Sequence, residues 1–292
     1  MVVNTVKPHC RMLSHASSIP WVFLCLSLFC LSPLARANPQ CDSVLSNESL
    51  KIAFGRTQRP LKLASNEVNL LIWNVHKETD GDLANDFRRI SHQIDLALFQ
   101  EAVSGPEFTE PISQSNKELG WTLAKSFQRN NGEFTGVATG SRVQPLKEEV
   151  QLSPMRETLI NTPKTILYSE FAIEGREDTL LVVNVHAINF VTSADYSVHI
   201  QQLVTKVRSH QGPLIVAGDF NTRNDSRQVY LDATLQQLGL TELEGPRAGF
   251  WNLDHAYGRG VRTKRVYDLS AISSSDHAPR IWDLTIDPPV SR

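Results

Sequence analysis

Cysteine is scarce where it would count. Of four cysteines in 292 residues, Cys10, Cys25 and Cys30 fall within the first 37 positions, and Cys41 stands alone after them. One remaining thiol makes no internal disulfide, and no Cys/His spacing suits zinc, so stability must come from the core. Cys41 lies four positions past the expected cleavage point, which fits an unpaired residue in a loose N-terminal segment better than a lipid-attachment site. No period of roughly 20–50 residues repeats. The formal charge of −2 gives no strong overall pull toward nucleic acid. No apolar run reaches the roughly 20 residues that a membrane-spanning helix needs.

What is present is 41% hydrophobic and 21% charged residues, enough for one large domain or two ordinary ones. Lys7 and Arg11 precede an apolar run from Trp21 to Leu31, followed by "SPLARANPQ". Ala35 and Ala37 form the small-x-small pattern of a cleaved export signal, so residues 1–37 are expected to be removed after Ala37. The expected location is then periplasmic or secreted; the alternative is an uncleaved N-terminal membrane anchor. Losing the three basic residues of that segment leaves 26 basic against 31 acidic, a formal −5. Residues 38–66 are expected as a lead-in, and 67–288 as a single catalytic domain.

Within that domain, strand-like runs recur. "VNLLIWNV" (68–75) is apolar on both faces, as in a strand covered on both sides. "DLANDFRRISHQI" offers Asp82 as N-cap and Leu83, Phe87, Ile90 and Ile94 as a helical stripe. "DLALFQEA", "GVATGSRV", "TILYSEFAI" and "TLLVVNVHAI" read as strands, the last two as a hairpin across "EGREDT". A helix is expected from about Ser193 to Ser209, then the strand in "GPLIVAGDFNTRND", then a helix over 226–238 stopped by Gly239. "RVYDLSAI" and "RIWDLTI" bracket the turn "SSSDHAP". The expected fold is α/β, with two mixed β-sheets packed together and helices outside.

Five of these runs end on polar residues: Asn74 and His76; Gln100 and Glu101; Asn184, His186 and Asn189; Asp219 and Asn221; Ser275, Asp276 and His277. Each alone has a dull explanation as a cap, a solvent-facing group or a satisfied core histidine. Together they sit where α/β sheets gather ligand sites, at strand C-termini. Asp219 and Asn221, two apart, would share a face in extended chain, and Gly218 leaves room for close approach. Carboxylates with amides and no thiol make a hard oxygen site suited to Mg²⁺ or Mn²⁺. Two histidines add phosphate donors or proton carriers. The set fits metal-assisted attack of water on a phosphate ester.

"WNV", "FQEA", "NVHAIN", "AGDFN" and "SDHAP", in this order, resemble the signature of the endonuclease/exonuclease/phosphatase superfamily. These are the DNase I-like phosphoesterases, which include sphingomyelinases and inositol phosphatases. The resemblance runs from about Asn69 to Asp283 and is closer to a subgroup of uncharacterised bacterial proteins. It implies a four-layer α/β sandwich. It also implies Asn74, Glu101 and Asp276 at the metal, with Glu101 the main ligand, and His186 against the scissile phosphate. Asp219 would deprotonate the attacking water and Asn221 hold the phosphate or nucleophile. His277 would stabilise charge as the bond breaks, oriented by Asp254. The chain departs from the usual pattern at Leu253-Asp254-His255, where many members carry an arginine before the aspartate. It departs again at the Thr-Gly pair inside "GVATGSR", and His76 takes a variable slot.

The substrate is less determined. "YGRGVRTKR" offers Arg259, Arg262, Lys264 and Arg265 as a basic track for a nucleic acid, against a preferred reading as a solvated loop. "RAGFWNL" offers Phe250 and Trp251 to a bilayer, against a reading as core. The expectation is an exported divalent-metal-dependent phosphoesterase acting on a phosphodiester (or phosphomonoester), nuclease-like first and sphingomyelinase-like second. A secreted binding protein on the same scaffold is the alternative of another class, but it would be marked by loss of Glu101, Asp219 or His277. No protein partner is expected, and the chain is read as a monomer.

Overall fold

A period of two along the strands decides the layers of this molecule. The computed structural model describes residues 47–63, 67–78, 82–243 and 253–289. The expected export signal and Cys41 lie outside the described residues, as do Phe250 and Trp251. In chain order the first half contains β1 (Lys51–Gly55), β2 (Lys62–Leu63), β3 (Glu67–Asn74), α1 (Leu83–Ile90), β4 (Leu96–Val103) and α2 (Pro106–Ser115). β5 (Gly120–Gln128), β6 (Phe134–Ser141), β7 (Lys147–Leu152), β8 (Thr165–Ile173), β9 (Thr179–His186) and α3 (Ser193–Val207) follow. The last elements are β10 (Leu214–Asp219), α4 (Asp225–Gln236), β11 (Thr241–Glu242), β12 (Asp254–Arg259), β13 (Val261–Asp268) and β14 (Arg280–Ile286).

One seven-stranded sheet has the order β1-β5-β6-β4-β3-β14-β13. The other runs β11-β12-β10-β9-β8-β2, with β7 paired to β8. Both are mixed: β3 lies parallel to β4, and β9 parallel to β10, among antiparallel neighbours. Alternate residues Val68, Leu70 and Ile72 of β3 meet Leu180 and Val182 of β9 and Ile215 and Ala217 of β10 in the space between the sheets. The intervening Leu71 and Trp73 face outward onto Leu83, Phe87, Phe108 and Ile112 of α1 and α2. Val183, Val185, Leu214 and Val216 likewise face Tyr196, Ile200, Leu203 and Leu231 of α3 and α4. The result is helix–sheet–sheet–helix, the α/β sandwich expected of the sequence.

Differences from the sequence reading have local causes. α1 stops at Ile90 because a turn intervenes, so Ile94 is buried beyond the helix and not on its stripe. α2, started by Pro106 at its first turn, was not anticipated, nor were β5, β7 and β12. Residues 51–63, within the expected lead-in, supply an edge strand to each sheet. The Thr-Gly pair of β6 has two uses. Thr139 Oγ1 accepts from Asn184 Nδ2 at 3.3 Å, and Gly140 leaves space that Trp121's indole fills. Among the described residues no helix is long and apolar enough to cross a membrane.

Candidate active site

The same alternation that builds the inter-sheet core carries it to a polar end. One step beyond Ile72, Val182 and Ala217 the inward positions become Asn74, Asn184 and Asp219, and one more step on β9 gives His186. Sheet register sets His186 beside Asp219 across the parallel β9–β10 pair, and Asp254 beside Asp219 across the antiparallel β10–β12 pair. Three strands therefore present imidazole, carboxylate and carboxylate in a row. Gln100 and Asn184, deeper in, are structural. Gln100 Nε2 donates to Asn184 Oδ1 at 2.7 Å, and Asn184 Nδ2 reaches the carbonyls of Phe99 and Ala138.

Gly218 permits this. Its φ is 137°, and a Cβ there would collide with the Val185 carbonyl. Asp219 Oδ2 accepts from Asn74 Nδ2 at 3.0 Å, and Oδ1 accepts from the Asn221 N–H at 2.9 Å. Asp219 and Asn221 thus meet, but not through extended chain as the sequence suggested. The strand ends at Asp219, and Asn221 takes a left-handed φ of 50° with its amide bonded to the Ala187 carbonyl at 3.0 Å. A side-chain turn closing over two residues does what the strand pleat was expected to do.

The segment after β13 brings the remaining groups. Ser275 Oγ donates to the Asn74 carbonyl at 2.6 Å, and Trp73 Nε1 donates to the His277 carbonyl at 2.9 Å. His277 Nδ1 then lies 2.7 Å from Asp254 Oδ2. Ligand atoms of Asp219, Asp254 and His277 fall within 4.8 Å of one another. The Asp254 carboxylate fixes the tautomer and the orientation of the His277 ring. Burial disfavours the His277 cation, but the carboxylates of Asp254, Asp219 and Asp276 outweigh it and raise His277 to about 9. Burial, aided by Asp254, pushes Asp219 up to about 6. His186, 3.6 Å from Asp219 Oδ2 and 3.9 Å from Glu101 Oε1, goes the other way. Burial and the cations Lys164 and Lys77 hold it well below 6.5 and neutral.

Glu101 sits on a bulge of β4 with φ 58° and is ion-paired to Lys77. Asp276 is more open, with 55% of its side chain exposed and Oδ1 3.5 Å from His76 Nδ1. Because Asn74 Nδ2 is committed to Asp219, its Oδ1 is fixed as an acceptor, taking the His76 N–H at 3.1 Å. Glu101, Asn74 and Asp276 are all oxygen donors on one cleft, a set that fits a hard divalent cation, and Glu101 already draws an ammonium.

The cleft has a volume of about 270 Å³ and also receives Lys164, Glu157, Arg223, Ile160 and Phe190. Lys164 is nine-tenths buried beside Glu157, at 3.5 Å. These residues were not singled out in the sequence. Lys77 had a signal, since it follows His76 in "WNVHKE"; Lys164 lies in a stretch without pattern and is brought in only by the fold. Non-glycine residues with left-handed φ number six among those described: His76, Lys77, Glu101, Asn161, Phe190 and Asn221. Five line the cleft and Asn161 adjoins it through Ile160, the clustering of backbone strain typical of functional sites.

The basic run lies elsewhere. β12 starts at Asp254 and leads away, so Arg259 pairs with Leu214 at the opposite end of β10 and bonds the Leu238 carbonyl at 2.9 Å. Arg262 and Lys264 on β13 are paired with Asp287 and Glu67. The run forms strands and not a solvated loop, and none of its residues lines the cleft.

With this geometry in hand, comparison with known proteins is informative. Residues 71–277 match the model of the Endonuclease/Exonuclease/phosphatase family. A UPF0294 protein of Vibrio cholerae is 33% identical over 224 residues, covering 73% of this chain and 76% of that protein. Among solved structures, a mannosyl-6-phosphatase of Bacteroides thetaiotaomicron is similar with TM-score 0.55 at 16% identity, covering 75% of this chain and all of that one. D. rerio TDP2, complexed with a single-stranded DNA product, is similar with TM-score 0.52 at 14% identity, covering 75% and 99%.

Proposed function

The chain belongs to the endonuclease/exonuclease/phosphatase family, and from that premise we propose that it is a divalent-metal-dependent phosphodiesterase acting at the open end of the inter-sheet core. The observation that carries the reading is the row His186–Asp219–Asp254 on adjacent strands, with His277 locked to Asp254 at 2.7 Å. Asp219, with a lifted pKa and both oxygens oriented, is suited to take a proton from attacking water. His277 shares Nδ1 with Asp254, so its Nε2–H faces the phosphate and supplies the proton of the departing oxygen. Neutral His186 donates to a phosphoryl oxygen, and Asn221 holds the reacting group beside Asp219. Glu101, Asn74 and Asp276 would hold Mg²⁺ or Mn²⁺, which when bound polarises the phosphoryl oxygen and offsets developing charge. Family membership fixes the reaction class better than the substrate. Structural neighbours that include a mannosyl-6-phosphatase and a protein holding a DNA product agree with that.

The test is turnover of bis-p-nitrophenyl phosphate by the full chain with Mg²⁺, Mn²⁺ or EDTA. Turnover that requires one of the ions supports the proposal, and undiminished turnover in EDTA contradicts its metal dependence. Export with cleavage after Ala37 belongs to the same proposal. Mass spectrometry of extracytoplasmic material should give an N-terminus at Asn38, whereas an intact Met1 in the membrane fraction would favour the anchor.

A further inference from the structure

Beside the cleft stands an apolar tip that the core does not require. Leu159, Ile160 and Phe190 are 76%, 56% and 48% exposed. The Thr158 N–H bonds the Phe190 carbonyl at 3.3 Å, so the two segments make one rim. Ile160 and Phe190 line the cleft that holds Asp219 and His277.

The tip is held in place by a buried charge. Glu157, 1% exposed, accepts the Asn189 N–H at 3.0 Å and the Thr162 hydroxyl at 3.2 Å, and faces the Lys164 ammonium at 3.5 Å. Its own carbonyl accepts the Asn161 N–H at 2.8 Å, and its N–H donates to the Thr162 carbonyl at 2.9 Å. Asn161 and Phe190 both adopt left-handed backbone, φ 51° and 38°. A buried carboxylate and two strained residues are costly ways to build a surface turn. What they hold outward is aliphatic, and exposed apolar surface at a cleft mouth marks a contact site.

Its surroundings favour one occupant. Arg156, exposed, donates to the Asn161 carbonyl at 3.1 Å, and the exposed Arg223 lies 5.3 Å over the Phe190 ring. Aliphatic and aromatic side chains flanked by guanidinium groups match a bilayer interface, where apolar groups sink in and arginines meet lipid phosphates. A single-stranded nucleic acid would want stacked aromatic faces along a basic groove. Leu159 and Ile160 offer no ring, and the basic run lies at the far end of β12.

We propose that Leu159, Ile160 and Phe190 seat in the surface of a phospholipid bilayer and deliver the phosphodiester of a phospholipid headgroup to the cleft. The catalytic half rests on the phosphodiesterase reading above. Water forms a bond to phosphorus, the P–O bond to the membrane-embedded alcohol breaks, Asp219 takes one water proton, and the departing oxygen receives one from His277. The products are the phosphorylated headgroup and diacylglycerol, with water the sole co-reactant.

The experiment uses the full chain with Mg²⁺ and vesicles of equal parts phosphatidylcholine and phosphatidylglycerol. Co-sedimentation and diacylglycerol release are measured for the wild type and for Leu159→Glu, beside turnover of soluble bis-p-nitrophenyl phosphate and of a single-stranded oligonucleotide. Leu159 does not line the cleft and is exposed, so the substitution should leave the melting temperature and soluble-diester turnover unchanged. Vesicle binding and lipid turnover should fall about tenfold or more, the loss expected when one leucine no longer leaves water. Residues 1–46 are common to both proteins, so sedimentation is compared at lipid concentrations where the wild type is only partly bound and the difference reads Leu159 alone. The docking proposal is overturned if the wild type does not sediment or if Leu159→Glu sediments equally. Cleavage of the soluble diester or the oligonucleotide without cleavage of lipid overturns the substrate assignment. If no ester is cleaved, the phosphodiesterase reading fails while sedimentation still decides the docking surface.

Discussion

His186 and His277 line one cleft and are driven in opposite directions. His186 is kept neutral by burial and two lysines, whereas His277 is kept charged by carboxylates that outweigh its burial. The pH dependence of the proposed reaction follows from His277 and Asp219. Turnover should fall as pH drops below about 6, where Asp219 gains a proton, and again as pH rises through about 9, where His277 loses one. Asp254 acts through His277 and is a positioning residue. Asp254→Asn should move the alkaline limb of the kcat profile toward lower pH, and the acid limb the same way by less, because Asp254 adds to the burial that raises Asp219. An unchanged alkaline limb would remove Asp254 from that role. The folding linkage has a matching sign. His277 is raised from 6.5, so its contribution to stability is full below about 6.5 and lost as pH rises through about 9. Individual site residues were largely legible, because Asn74, His186 and Asp219 each end an apolar strand. His277 instead sits in the loop between β13 and β14, not at the end of a strand as the sequence suggested. Lys164 and Glu157 were not, since they lie in "ETLINTPK", where nothing local distinguishes a buried ion pair from a polar loop.

Among the elements, β10 bears the most on the site. Gly218 has a positive φ and no room for a Cβ against the Val185 carbonyl. Gly218→Ala should therefore cost about 2 kcal/mol or more by denaturant unfolding and displace Asp219, lowering turnover as well. A variant as stable and active as the wild type would show that the strand tolerates a side chain there. The long apolar strands β3, β4, β8, β9 and β10 were readable from composition because both their faces are buried. β7, with the sequence "KEEVQL", was not, since it pairs only with β8 and carries charges. β12 was hidden for another reason: Asp254 is polar because it holds His277, and His255 because it is shared between Thr222 and Glu242, which masks a strand pattern. α2 carries Pro111 internally, which argues against a helix in sequence, and its packing against α1, β1 and β4 makes it recognisable.

For the molecule as a whole, two sheets face each other over an apolar core that turns polar at one end, and the turn is staged. Gln100 and Asn184 join the sheets first, and the reactive groups come one step further out. Replacing Asn184 with leucine would take from Gln100 Nε2 its 2.7 Å acceptor, leaving it the longer bond to the Leu98 carbonyl, and remove the buried amide's donations to Phe99 and Ala138. Unfolding should then require about 2 kcal/mol less, read from the denaturant midpoint; an unchanged midpoint would mean the pair is dispensable. The layered architecture could be anticipated from alternating patterns, but the convergence of four strand ends and the β13–β14 loop on one cleft depends on register, which no single segment encodes. The central claim is that this convergence is a phosphodiesterase centre in which Asp219 handles the water. It is tested most directly by kcat on bis-p-nitrophenyl phosphate with Mg²⁺ for the wild type and Asp219→Ala, both checked for folding. A fall of about a hundredfold or more is expected on losing a general base, and a folded Asp219→Ala chain that keeps wild-type turnover would contradict the claim.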